Sequence, residues 1–192
     1  MLRLFQARGA LWPGRLGYMT CGNPELRFIR GLIRQAKPSS NKIEDFVDLV
    51  DGRIHALARA HNQITDDHWG PAPIGALIDA ETRAFLDEQN SGVQITGEQV
   101  LLNPQAYSTM ALVVHELVTN STKYGSLSNG GTVDVSWTRT KEGDLRFKWQ
   151  ERGGPPVNPP TRKGFGTTII SRSVPYDLGG QAVATPRNLL VG

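Results

Sequence analysis

The chain has 192 residues, 39% of them hydrophobic and 20% charged, with a net charge of +3. That length exceeds the common single-domain size, so one domain with an appendage is expected, and the apolar fraction suffices for a packed core. No Lys/Arg run or basic–aromatic interleaving marks a nucleic-acid surface, no apolar stretch nears the ~18 residues of a membrane span, and the single Cys21 excludes an internal disulfide framework. Cys/His zinc spacing is also absent, and the chain reads as soluble and cytoplasmic.

Residues 1–23 read as a poorly ordered leader. They carry Arg3, Arg8 and Arg15 and several glycines, but no continuous apolar core of a secretory signal. From Pro24 the pattern turns helical. Leu26, Ile29, Ile33 and Ala36 form one stripe, and Pro38-Ser39-Ser40-Asn41 makes a turn with capping residues. A second helix starts near Lys42, with Ile43, Phe46, Val47, Val50, Ile54, Leu57, His61 and Ile64 recurring every three to four residues. Residues 24–66 thus form a helical hairpin whose half-exposed stripes pair with a second copy into a four-helix bundle. On this reading His61 faces inward and His55 lies on the polar side.

His68-Trp69-Gly70-Pro71 marks a linker, and residues 67–192 form the second unit. Ile74, Leu77, Ile78, Glu81 and Phe85 predict a helix from Ile74 to about Glu88. Val93 to Thr96 and Val100 to Leu102 read as short strands around a turn at Gly97. A long helix follows from about Pro104, with proline in its first turn. Thr132 to Thr138 and Leu145 to Trp149 alternate cleanly and form a hairpin across Lys141-Glu142-Gly143-Asp144. Thr167 to Leu178 is a helix and Gln181 to Thr185 a final strand. The expectation is an α/β fold, a two-layer sandwich with a mixed sheet and helices on one face.

The end of the long helix, His115-Glu116-Leu117-Val118-Thr119-Asn120-Ser121-Thr122-Lys123-Tyr124-Gly125, carries the strongest chemical signal. Met110, Val113, Leu117 and Ser121 share a core-facing stripe. Glu116, Asn120 and Lys123 stand at i, i+4 and i+7 on another face. A carboxylate and an amide oxygen suit Mg²⁺, and an ammonium suits phosphate. On spacing alone the same residues also describe a solvated face. Glu151, at a strand end, can accept an amino proton, and Gly153 and Gly154 let backbone approach a ligand closely. Gly164-Phe165-Gly166 before a helix offers N–H groups to phosphate oxygens.

Three blocks together resemble one family. His115 to Gly125 is similar to the N-box of sensor histidine kinases in the form used by the HWE subfamily. Trp149-Gln150-Glu151, followed by Arg152-Gly153-Gly154-Pro155-Pro156, resembles its Trp-x-Glu block. Arg162 to Ile170 resembles its second glycine box, and Val157 to Lys163 stands where the family has a short ATP lid. The resemblance covers roughly Leu26 to Gly180 and implies the Bergerat ATP-binding fold. It implies a protein histidine kinase of a two-component phosphorelay, using ATP and Mg²⁺. Glu116 and His115 would be catalytic. Asn120 would hold Mg²⁺ and, with Lys123, Tyr124, Glu151, Gly153, Gly154, Gly164, Phe165, Gly166 and Thr167, bind the nucleotide. The partners implied are a second copy, a response regulator receiver domain and another histidine kinase. The acceptor His of the first helix would fall near Thr20, and Thr20-Cys21-Gly22-Asn23 holds none. Transfer in trans is therefore expected, because threonine lacks the nucleophilic ring nitrogen. A nucleotide-binding pseudokinase and a phosphotransfer scaffold using His55 are the alternatives. After Pro186 the family continues into a further strand, which is expected to be short or missing here.

Overall fold

The computed structural model of the protein describes residues 43–66, 70–86, 92–155, 165–185 and 188–191. The expected leader, the expected first helix of the hairpin, the whole of the expected ATP-lid segment (157–163) and Gly164 lie outside the described residues. Helix α1 spans Ile43–Asp66. A short bridge, β1 (Ala72–Pro73), leads into α2 (Ile74–Arg83). Strands β2 (Val93–Gly97) and β3 (Leu101–Leu102) precede the long helix α3 (Pro104–Lys123). A 3-10 turn, Ser126–Asn129, connects to β4 (Thr132–Arg139) and β5 (Leu145–Arg152). Helix α4 (Phe165–Leu178) and strands β6 (Ala182–Thr185) and β7 (Asn188–Val191) complete the described chain.

Alternation in the strands sets the layers. Val133, Val135 and Trp137 of β4 and Leu145, Phe147 and Trp149 of β5 are buried on one sheet face, while their neighbours in sequence are partly or fully exposed. Period-two side chains allow only this arrangement when one face is covered. β4 pairs antiparallel with β5, with Trp137 opposite Phe147 and Val135 opposite Trp149, and parallel with β2. β6 and β7 form an antiparallel hairpin, and β7 runs alongside β5. Helices α3 and α4 pack together over the covered face. This is a two-layer α/β sandwich with a mixed sheet.

Helix α3 is the axis of the core. Asn103 caps its start by accepting the Ala106 N–H at 2.8 Å, with Pro104 at the first helical position. Met110, Val113, Leu117 and Ser121 are all buried, as their spacing requires, and so are Ala111, Leu112, Val114 and Val118. The burial runs round the helix because α3 meets the sheet, α4, α2 and α1.

Three expectations change and one is met. Val93–Gly97 and Leu101–Leu102 do not pair with each other: β2 joins β4, and β3 pairs antiparallel with β1. A parallel partner for β2 was invisible in local sequence because parallel pairing joins distant segments. Helix α2 ends at Arg83, where Ala84 caps it, rather than near Glu88. The strand after Pro186, expected to be short or missing, is present as the four-residue β7. Finally, α1 turns a different face inward. Its buried residues are Arg53, Ala56, Ala60 and Ile64, and His61 is exposed. Phe46, Leu49, Val50 and Leu57 are half-buried beside Ala56 and Leu112, and only part of the apolar stripe is left on the outer side. Ile43, Val47 and Ile54 are 78%, 55% and 42% exposed.

Candidate active site

The C-terminal end of α3 and the end of β5 meet. Glu151 takes a hydrogen bond from Ser121 Oγ on one carboxylate oxygen and from the Ser126 backbone N–H, at 2.8 Å, on the other. Trp149 Nε1 donates to Ser121 Oγ at 3.1 Å. Gly125 makes room for this carboxylate: a Cβ there would stand 2.3 Å from Glu151 Oε2. Gly153 and Gly154 follow with φ of 74° and 80°, the left-handed region that glycine adopts without strain. A Cβ on Gly154 would meet Ser126 Cα at 2.5 Å. The glycine turn therefore passes directly under the start of the 3-10 turn, at the same end of α3 as Glu151.

The row along α3 grades from core to solvent. Glu116 is buried, Asn120 half-buried and Lys123 exposed. Tyr124, 72% exposed, stands just past the helix, where its N–H and that of Gly125 both donate to the Asn120 carbonyl at 2.9 Å. Phe165, Gly166 and Thr167 form the first turn of α4.

Glu116 has a partner that the sequence reading missed. Arg53 of α1, 2% exposed, places Nε and Nη2 each 2.6 Å from Glu116 Oε1, and its Nη1 donates to the Leu49 carbonyl at 3.2 Å. Burial pushes the Arg53 guanidinium pKa down from its ordinary value, and the Glu116 charge offsets part of that shift. A second pair lies six residues further along α1. Arg59 clasps Glu81 of α2 in bidentate fashion, at 2.9 and 2.7 Å. Burial alone would raise the Glu81 carboxyl, but His115 and Arg59 beside it outweigh that and hold it below the ordinary range.

His115 sits within this second group. Its Nδ1 is 3.5 Å from Glu81 Oε2, its ring meets Phe85 edge-on at 5.3 Å, and a Cβ on Gly52 would come within 3.2 Å of its Nε2. The structure thus divides the predicted set. Glu151, Gly153 and Gly154 gather at the end of α3 with Ser121 and Ser126, whereas His115 and Glu116 face α1 and α2. Two signals for the missed residues were available. Ser121 was a hydroxyl on an otherwise apolar stripe, which must find a hydrogen-bond partner. Arg53 stood in line with Ala56, Ala60 and Ile64, a charge on the small-residue face.

Among the described residues no group of three His, Cys, Asp or Glu side chains is placed to hold a metal ion, and no helix is long and apolar enough to cross a membrane. The groups at the end of α3 could hold a nucleotide: an anchored acceptor carboxylate, a glycine turn that a Cβ would obstruct, and a half-buried amide in the row that begins at Glu116.

Solved structures share this architecture. The chain aligns with the blue-light-activated histidine kinase of Erythrobacter litoralis EL346 at a TM-score of 0.58 and 18% identity, covering 90% of this chain and 63% of that one. It aligns with the histidine kinase domain of the same protein at 0.56 and 17%, covering 88% and 92%. The fold is the α/β ATP-binding fold of histidine kinase domains. In sequence, the HWE histidine kinase family model matches residues 25–99. Blue-light-activated histidine kinase 1 of Erythrobacter litoralis (strain HTCC2594) is 34% identical over 134 residues, 67% of this chain and 37% of its own length. The blue-light-activated histidine kinase of Brucella anthropi is 28% identical over 149 residues, 76% of this chain and 30% of its own length. Sequence and fold together support an HWE-family histidine kinase. It spans about a third of the length of the curated relatives it matches.

Proposed function

We propose that the chain is an ATP-dependent protein histidine kinase of a two-component system, acting in trans on a histidine of another polypeptide. The observation that carries this reading is the Glu151 carboxylate, fixed by Ser121 and the Ser126 N–H beside the Gly153-Gly154 turn. An acceptor of fixed position next to a turn without Cβ atoms suits the amino edge of adenine. Bound ATP with Mg²⁺ supplies the phosphoryl group. Asn120 would hold the ion, and Lys123 and the first turn of α4, Phe165 to Thr167, would meet phosphate oxygens, with Gly164 just before it. Tyr124 would lie along the sugar–phosphate region. Little covalent work falls to the protein: it positions the groups and neutralises charge. The acceptor imidazole nitrogen gains a bond to phosphorus, the bond to the leaving ADP oxygen breaks, and Glu116 receives the imidazole proton.

The family supports a dimer and a response regulator receiver domain as partners. The exposed apolar stripe Ile43, Val47 and Ile54 on α1 is where a second copy would close a bundle. The division into a hairpin (24–66) and a catalytic unit (67–192) belongs to the same proposal, with α1 resting on the catalytic unit through Arg53.

One observation favours the pseudokinase reading, in which the chain binds nucleotide and regulates true kinases: Arg53 already occupies Glu116. The scaffold reading rests on His55, which is exposed and 3.4 Å from Asp51, and His61 is equally accessible. Calorimetric titration of the whole chain with a nonhydrolysable ATP analogue, with and without Mg²⁺, tests the first reading. Saturable binding that requires Mg²⁺ is expected, and no binding in either condition would overturn it.

A further inference from the structure

The structure assigns Ser121 and Trp149 as positioning residues that aim Glu151 at the nucleotide base and set the preference for a base with an exocyclic amino group. The assignment deepens the proposed reading of Glu151 and rests on it. The argument is one of donors and acceptors. The indole N–H of Trp149 can only donate, so in its 3.1 Å contact the Ser121 oxygen must accept. Serine has one hydroxyl proton, and the other neighbour of Ser121 Oγ is the Glu151 carboxylate, an acceptor. The hydroxyl proton is therefore committed to Glu151 Oε1. The Ser126 N–H fixes Oε2 at 2.8 Å.

Each carboxylate oxygen thus holds one protein donor and keeps accepting capacity for a ligand. Ser121 and Trp149 are both fully buried, so water cannot stand in for a missing partner. Gly125 completes the arrangement, since any side chain there would displace the carboxylate. The outward edge of Glu151 is left as a fixed acceptor. An adenine amino group satisfies it, whereas the carbonyl of hypoxanthine places acceptor against acceptor. This also gives the tryptophan of the Trp-x-Glu block a physical reason: it fixes the serine hydroxyl from behind. Glutamate at 151 supplies the reach, since aspartate is one methylene, about 1.5 Å, shorter and would leave Ser121 and the Ser126 N–H unmet together.

The test is equilibrium binding of ATP and of inosine triphosphate, each with Mg²⁺, to the whole chain and to Ser121→Ala, with thermal unfolding measured in parallel. Ser121→Ala is expected to weaken ATP about ten- to a hundredfold, the scale of a hydrogen bond to a charged group, and to shrink the ATP-over-inosine-triphosphate ratio by at least half that factor. Trp149→Phe, where it folds, should lower ATP affinity in the wild-type background and have no further effect in Ser121→Ala, because it acts through the serine. Unchanged ATP affinity, or weakened binding of both nucleotides by the same factor, would overturn the inference. Failure of the wild-type chain to bind ATP at all would instead overturn the proposed reading of the site, so the two failures are distinguishable.

Discussion

Arg53 and Glu116 form an ion pair closed off from solvent, and such pairs respond asymmetrically to mutation. Arg53→Ala leaves a buried carboxylate without its partner and should cost about 3–5 kcal/mol of unfolding free energy. Replacing both partners with apolar residues, Arg53→Met with Glu116→Leu, should cost much less, and urea denaturation of the two variants gives the comparison. At the proposed nucleotide site, Asn120→Ala should weaken ATP·Mg²⁺ by about 1.5–3 kcal/mol, the scale of a lost contact with a charged group. Calorimetry showing equal affinity would remove the metal role from Asn120. Glu81 gives a pH signature. Its carboxyl is held below the ordinary range in the folded state, so it contributes stability that is complete above that range and is lost as pH falls through the lowered value. Glu81→Gln should be less stable than wild type near neutrality, and the gap should narrow on acidification in melts run across the acidic range. The grouping of Glu151, Gly153 and Gly154 was expected from the resemblance of the three sequence blocks, and the structure brings them together at the end of α3, whereas the spacing of Glu116, Asn120 and Lys123 alone also described a solvated face. Arg53 was not legible, because nothing local tells a buried arginine on α1 from a solvated one. Its partner lies 63 residues away.

Helix α1 shows where reading by periodicity stops. Its apolar repeat gave a long helix, seen at Ile43–Asp66, whose stripe was expected to meet a second copy; Ile43, Val47 and Ile54 of that stripe are exposed within one copy, Ile64 is buried, and His61, expected inward, is exposed. The helix has two apolar faces. One is made of alanines with Arg53 and packs on α3, and the other carries Ile43, Val47 and Ile54 outward. A single stripe of large side chains outweighs a face of small ones in any sequence pattern, although close helix approach favours the small face. The long α3 and the β4–β5 hairpin were legible because cap, proline position and strict alternation agree. The placement of β2 depended on a parallel partner 40 residues on, from Val133, and was not. The outward face of α1 carries its own prediction. Val47→Asp or Ile54→Asp should abolish the proposed dimer while leaving the monomer folded, because both side chains are already largely exposed within one copy. Light scattering reads the mass and circular dichroism the fold. A wild-type chain that is monomeric at micromolar concentration would contradict the bundle.

Across the molecule, α1 is joined to α3 and α2 by two charged clasps, Arg53 to Glu116 on α3 and Arg59 to Glu81 on α2. The long helix α3 carries one clasp in its middle and the Glu151 cluster at its end. A displacement of α1 would therefore change the surroundings of Glu116 first. The most direct test of the whole account is phosphoryl transfer. The whole chain is incubated with γ-labelled ATP and Mg²⁺, alone and with a related kinase fragment that retains the acceptor histidine but has an inactivated ATP pocket. Acid treatment separates the products, because the P–N bond of phosphohistidine breaks in acid and phosphothreonine survives. The account predicts acid-labile label on the fragment and none on this chain. Label on neither molecule, in a preparation that measurably binds ATP, or acid-stable label at Thr20, would contradict it.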